Sequence, residues 1–163
     1  MSSPIRSQPN PVLRQKAKRI GSIDGSIQRL IDRMFEAMNQ VNGVGLAAPQ
    51  IGVPLRIAVI QIDEEEPLVL INPEMVKRSG ERVVEEGCLS VPGYRGMIRR
   101  SEKVTVKALD RQGRPVRIKG EGLLAQALEH ELDHLNGVLY IDKVEEGTLH
   151  KLAEAEIAPD STQ

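Results

Sequence analysis

The sequence predicts an α+β fold, with mixed, mostly antiparallel sheets and hairpins packed around a central helix. Three observations lead there. Near the start, Ile23, Ile27, Leu30, Ile31, Met34, Phe35, Met38 and Val41 recur at helical spacing. The middle of the chain breaks into short strand-like runs separated by turn residues. Residues 123–135 then form a second helical stretch that contains His130-Glu131-Leu132-Asp133-His134. The order helix, strands and hairpins, helix suggests a mixed or mostly antiparallel sheet packed on a central helix.

Along the chain, a proline-containing arm precedes an amphipathic helix over residues 24–41, which Asn42-Gly43 can stop. Residues 44–52 are rich in Gly and Ala and hold a Pro, and 55–62 and 68–71 read as buried strands. Ser79-Gly80 lies between two strand-like runs in 75–84, and Asp110-Arg111-Gln112-Gly113 joins 104–109 to 116–118, so both segments read as hairpins. Gly120 and Gly122 precede the second helix, which Asn136-Gly137 closes. From Glu145 a short helix through Leu149, Leu152 and Ala153 is expected, fraying at Pro159. We find no internal repeat or low-complexity linker. One domain over 1–163 follows, with a core over about 4–145 and a C-terminal tail over 146–163.

Composition narrows the function. A chain of 163 residues with 40% hydrophobic and 28% charged content can bury one real core. With one Phe, two Tyr, no Trp and a formal charge of -1, it lacks stacking faces and surplus cations, so direct nucleic-acid binding is not expected. The single cysteine, Cys88, forms no internal disulfide, which fits a reducing compartment. No apolar run approaches the roughly 20 residues that cross a bilayer, and no signal-like region opens the chain. Residues 1–20 hold five Lys/Arg and no acid, but Pro4, Pro9 and Pro11 interrupt any targeting helix. A soluble, cytoplasmic protein without membrane partners is expected.

On a helix, His130 and His134 differ by only ~40° in direction, and Glu131 lies ~60° from His134. All three can converge on one ion. Leu123, Leu124, Ala127, Leu128 and Leu135 share this side, while Gln126, Glu129, Asp133 and Asn136 form a separate polar stripe. Two histidines and an acid on an apolar face are costly unless satisfied, and a metal satisfies them. The bland alternative is a pair of core histidines bonded to backbone. A hydrolytic site needs a third protein ligand and an open position for water. Cys88, in the glycine-containing turn Glu86-Gly87-Cys88-Leu89-Ser90, competes for that place with Glu154, twenty residues after His134. The turn lets a thiolate approach an ion closely; Glu154 sits in a polar stretch near Lys151 and Glu156, where a solvated face explains it.

The segments Gly43-Val44-Gly45-Leu46-Ala47-Ala48-Pro49-Gln50, Glu86-Gly87-Cys88-Leu89-Ser90 and His130-Glu131-Leu132-Asp133-His134 together resemble the peptide deformylases, in the family's order. The resemblance covers about residues 4–145 and includes Leu70-Ile71-Asn72-Pro73. It implies Cys88, His130 and His134 as metal ligands and Glu131 as the acid/base. It further implies that the Gln50 side chain and the Leu89 N–H stabilise the oxyanion, and that Gly45 helps align the substrate backbone. Arg95 matches a position that contacts the substrate peptide. Val44, Glu86, Leu123 and Ala127 match positions lining the methionine pocket, and Gln126 occupies a place often apolar in the family.

The activity implied is removal of the formyl group from N-formylmethionyl nascent peptides, with release of formate. The resemblance points to one divalent ion, Fe2+ in the cell, with Zn2+, Ni2+ or Co2+ as substitutes. A thermolysin-like metallopeptidase using Glu154 is the rival enzyme, and a non-catalytic metal module the rival of another class. Encounter with nascent chains implies transient proximity to the ribosome. Some relatives dock there through a basic C-terminal helix, but residues 143–163 here hold two Lys against five Asp/Glu, which speaks against docking through this tail.

Overall fold

The computed structural model describes residues 4–153. Helix α1, Gly25–Gln40, starts where Asp24 caps it by accepting hydrogen bonds from the N–H groups of Ser26 and Ile27. Its buried side chains Ile27, Leu30, Ile31, Met34, Ala37 and Met38 follow the expected stripe. The strands are β1 Gly45–Ala47, β2 Ile57–Ile60, β3 Leu68–Ser79, β4 Arg82–Cys88, β5 Val91–Arg100, β6 Lys103–Leu109, β7 Pro115–Glu121 and β8 His150–Lys151; helix α2, Gly122–Leu135, follows β7. One sheet has the order β1-β2-β3-β6-β7, a second β4-β5-β8, and every strand pair is antiparallel. The α+β expectation therefore holds.

The apolar run in β2 reflects burial on both sides of the sheet. Ala58 and Ile60, with Ala47, Leu70, Val104 and Val106, pack against Ala125, Ala127, Leu128, Leu132 and Leu135 of α2. Ile57 and Val59, with Leu46 and Ile71, pack against α1. Leu13, Cys88, Val91, Ile98, Leu139 and Tyr140 form a third cluster under the second sheet. Gly137 closes α2 at φ 76°, and a Cβ there would lie 2.5 Å from the Arg14 carbonyl oxygen, so glycine is needed both for its conformation and for close approach.

Three expectations need correction. The hairpin expected over 75–84 is a crossing between sheets: Gly80 turns the chain at φ 70°, but β3 pairs with β2 and β6 while β4 pairs with β5. Turn residues specify a local reversal, not the strand that will accept the ladder. The actual hairpin is β4–β5, closed at the pair Cys88–Val91 around Leu89-Ser90; its second strand escapes notice because Pro92, Gly93 and Gly96 interrupt it. In the tail, residues 150–151 pair with Tyr94 and Arg95 as a strand instead of continuing a helix. Residues from Glu154 onward, Pro159 among them, lie outside the described residues.

The third correction concerns α2. Gln126, Glu129 and Asp133 are buried, and only Asn136 of the expected polar stripe is exposed. Each buried member meets a partner from another element: Glu129 accepts from Arg78 and from Ser101, and Asp133 pairs with Arg100 and Lys143. Leu123, assigned to the apolar side, is 43% exposed at the first turn.

Candidate metal centre

His130 and His134 lie one turn apart on α2, and Cys88 ends β4, so helix and hairpin bring their side chains together. The two Nε2 atoms are 3.1 Å apart, and Cys88 Sγ is 3.2 Å from His134 Nε2. All three candidate ligand atoms fall within 4.8 Å of one another, and all three residues are buried. Two nitrogens bound tetrahedrally at ~2.0–2.1 Å from a zinc-like ion would stand about 3.3 Å apart, so the donor set fits one cation with an open fourth position. Glu154, the competing third ligand, lies outside the described residues.

Glu86 sets the direction of the first imidazole. Its Oε1 is 2.5 Å from His130 Nδ1, which leaves Nε2 to face the other two donors. Glu86 is itself gripped by Arg100, whose Nε donates to Oε2 at 3.0 Å and whose NH2 donates to Oε1, while Arg100 NH1 donates to Asp133 at 2.8 Å. Burial pushes the Glu86 carboxyl upward, yet the His130 and Arg100 charges outweigh it and hold it well below the ordinary carboxylate range. Glu86 was expected at the wall of a substrate pocket; its side chain is fully buried and turned to these partners.

Both Glu131 carboxylate oxygens are buried without a hydrogen-bond partner among the described residues. Burial raises this carboxyl to about 7, against the lowering pull of His130. The side chain fits because Gly45 in β1 faces it: a Cβ there would come within 2.5 Å of Glu131 Oε2. Gly45→Ala is therefore expected to displace the carboxylate and lower the rate about 10²-fold with metal content unchanged, since ~1 Å of misplacement can cost that much. Steady-state kinetics with metal analysis check this; an alanine variant of full activity would refute the close fit.

Gln50 is presented by the 3-10 turn Ala48–Ile51. Its Oε1 accepts the Ala47 N–H at 2.9 Å, so Nε2 is directed to Ser90 Oγ at 3.1 Å and lies 3.8 Å from Cys88 Sγ. The N-terminal arm braces both neighbours, through Arg6 N–H to the Gln50 carbonyl and Gln8 N–H to the Ser90 carbonyl. Leu89, half-buried, occupies the β4–β5 turn beside Cys88. Of the remaining candidates, Val44 is half-buried at the edge of β1, Ala127 is fully buried in the α2 core, and Arg95 Nε pairs with Glu85 at 2.8 Å. A separate hollow of about 550 Å³ along β3, β6 and β7, lined by Lys77, Lys103, Arg117 and Lys119 among others, contains none of the candidate residues.

Sequence reasoning missed Arg100, Ser90 and the burial of Asp133. A signal for Arg100 exists: along β5 it shares the inward parity of Gly96 and Ile98, and an inward arginine requires buried acids.

The chain matches the family model for polypeptide deformylase over residues 2–149. A peptide deformylase of Dehalococcoides mccartyi is 57% identical over 154 residues, covering 93% of this chain and 92% of that protein. One from Halothermothrix orenii is 55% identical, covering 86% and 92%. Among solved structures, a peptide deformylase from Legionella pneumophila superimposes with a TM-score of 0.85 at 53% identity, covering 87% of this chain and 85% of that one. One from Synechococcus elongatus in complex with actinonin gives 0.85 at 44% identity, covering 88% and 79%.

Proposed function

The chain belongs to the polypeptide deformylase family, and from that premise we propose that Cys88, His130 and His134 hold its metal while Glu131 moves the protons of the reaction. The protein is a metal-dependent hydrolase that removes the N-formyl group from the N-terminal methionine of newly made polypeptides. The observation that carries the residue assignment is the convergence of one sulfur and two imidazole nitrogens next to a buried carboxylate with no partner of its own.

When bound, the ion acts as a Lewis acid that lowers the pKa of water toward ~7. Glu131 accepts the proton of the attacking water and returns it to the leaving α-amine. The Gln50 amide, aimed by its bond to Ala47, and the Leu89 N–H donate to the oxygen that becomes negative as the formyl carbon turns tetrahedral. Gly45 leaves room for the Glu131 carboxylate and for the approaching substrate backbone. Val44, Leu123, Ala127 and Arg95 are assigned to substrate contact on the family pattern alone; Glu86 is reassigned to orienting His130.

Fe2+ as the ion in the cell, with Zn2+, Ni2+ or Co2+ as substitutes, rests on the same pattern, since a thiolate with two imidazoles accepts several of these. A thiolate beside redox-active iron is open to oxidation in air. We assign the protein to the cytoplasm, where its nascent substrates would be met near the ribosome.

The deciding experiment measures formate release from a formyl-methionyl peptide by protein loaded with iron under anaerobic conditions, with an acetyl-methionyl peptide as control. Cys88→Ala is expected to lose both tight metal binding and activity. Retention of the metal by Cys88→Ala, with loss in Glu154→Ala, would favour the thermolysin-like ligand set instead.

A further inference from the structure

Gln126 is a buried polar side chain to which the proton-transfer and ligand roles give no task. Gln126 lies on α2 one turn before His130, is only 7% exposed, and reaches across to β4. Its Nε2 donates to Glu86 Oε2 at 3.1 Å and stands 3.3 Å from the Glu85 carbonyl oxygen. Both amide hydrogens therefore have acceptors on the same strand.

We propose that Gln126 is a positioning residue for the metal centre, holding Glu86 in the rotamer that His130 requires. This rests on the ligand assignment above and extends it.

Glu86 receives Arg100 on both oxygens, and its Oε1 meets His130 Nδ1. Arg100 pulls the carboxylate toward β5 and Asp133. Gln126 pulls Oε2 toward the turn of α2 that leads to His130. Donors on two different elements thus define where the carboxylate sits, and the carboxylate defines the plane and tautomer of the imidazole. The second Gln126 contact, to the Glu85 carbonyl, fixes the amide orientation so that Nε2 and not Oε1 faces Glu86. An apolar side chain of similar length would fill the space and leave Oε2 with Arg100 alone. A carboxylate there would place like charges about a hydrogen bond's length apart.

The test compares wild-type, Gln126→Leu and Gln126→Glu proteins loaded with Co2+. Chelator competition reads metal affinity, and the Co2+ absorption spectrum reads the thiolate band and the ligand-field bands that respond to imidazole placement. Gln126→Glu is expected to weaken metal binding about 10- to 100-fold and to shift the ligand-field bands, in the range found when partners behind a ligand are removed. Gln126→Leu, whose apolar side chain suits a buried position, should fold and show a smaller loss in the same direction, with a lower kcat and a KM near wild type for a formyl-methionyl peptide.

Unchanged affinity and spectrum in both variants would overturn the proposal, as would a raised KM alone, which would make Gln126 a plain pocket wall. Lowered thermal stability with an unchanged Co2+ spectrum would also overturn it, because packing would then be its only role. If wild-type protein itself lacks the thiolate-to-Co2+ band, the ligand assignment fails and this inference falls with it. If the band is present and only the Gln126 variants behave as wild type, the ligand assignment stands alone.

Discussion

Glu131→Gln is expected to lower formate release by about 10²- to 10⁴-fold, the usual worth of a positioned acid/base, while metal content stays stoichiometric. Glutamine keeps the shape of the side chain and its contact with Gly45, so no space is opened against β1. It cannot accept a proton from water or return one to an amine. Glu131 Oε1 and Oε2 make no hydrogen bond among the described residues, so the replacement breaks no buried pair. Removing a desolvated carboxylate should if anything relieve the folded state. The expected variant is therefore inactive, metal-replete and at least as stable as the parent in urea denaturation. That combination separates a proton carrier from a structural residue. A Glu131→Gln protein retaining more than about a tenth of the parental rate would exclude the role.

How much of this was readable beforehand depends on whether the information is local. His130 and His134 were legible because helical periodicity alone puts them on one side. The glycine-containing turn singled out Cys88 as a candidate, and the fold sets its Sγ 3.2 Å from His134 Nε2, while the competing Glu154 lies outside the described residues. Helix α1 was legible from its apolar stripe, a property of a few consecutive turns. The β6–β7 hairpin was legible for the same reason: Asp110 Oδ1 accepts the backbone N–H groups of Gln112 and Arg114 within the turn itself.

What failed depends on partners far away in sequence. Ser79-Gly80 does turn the chain, but the ladder that β3 joins is chosen by β6 and β2, which lie on either side of it in space. Gln126, Glu129 and Asp133 look like a solvated stripe in isolation, because nothing within the helix announces that Glu86, Ser101, Arg78, Arg100 and Lys143 will meet them. Glu86 fell to the same difficulty. The family pattern marks its position, but its burial against Arg100 and His130 follows only from the β4–β5 pairing, and β5 is broken by residues that ordinarily disfavour strands.

Arg100→Leu is expected to destabilise the metal-loaded protein by about 3–5 kcal/mol, the usual cost of removing one partner from a buried ion pair. The side chain of Arg100 is 2% exposed, that of Glu86 0% and that of Asp133 12%, so neither acid can turn to bulk water when the guanidinium goes. Lys143 keeps a contact to Asp133, and Gln126 and His130 keep theirs to Glu86, which limits the loss but leaves Glu86 Oε2 with a single neutral donor. For a chain of this size the change corresponds to a fall in Tm of roughly 6–20 °C. It should appear together with weaker metal binding, because the carboxylate that orients His130 is no longer anchored from β5. Thermal unfolding and chelator competition on the same preparation measure both effects. A loss below about 1 kcal/mol, the range of an exposed ion pair, would mean that water reaches this cluster, and the argument from burial would have to be abandoned.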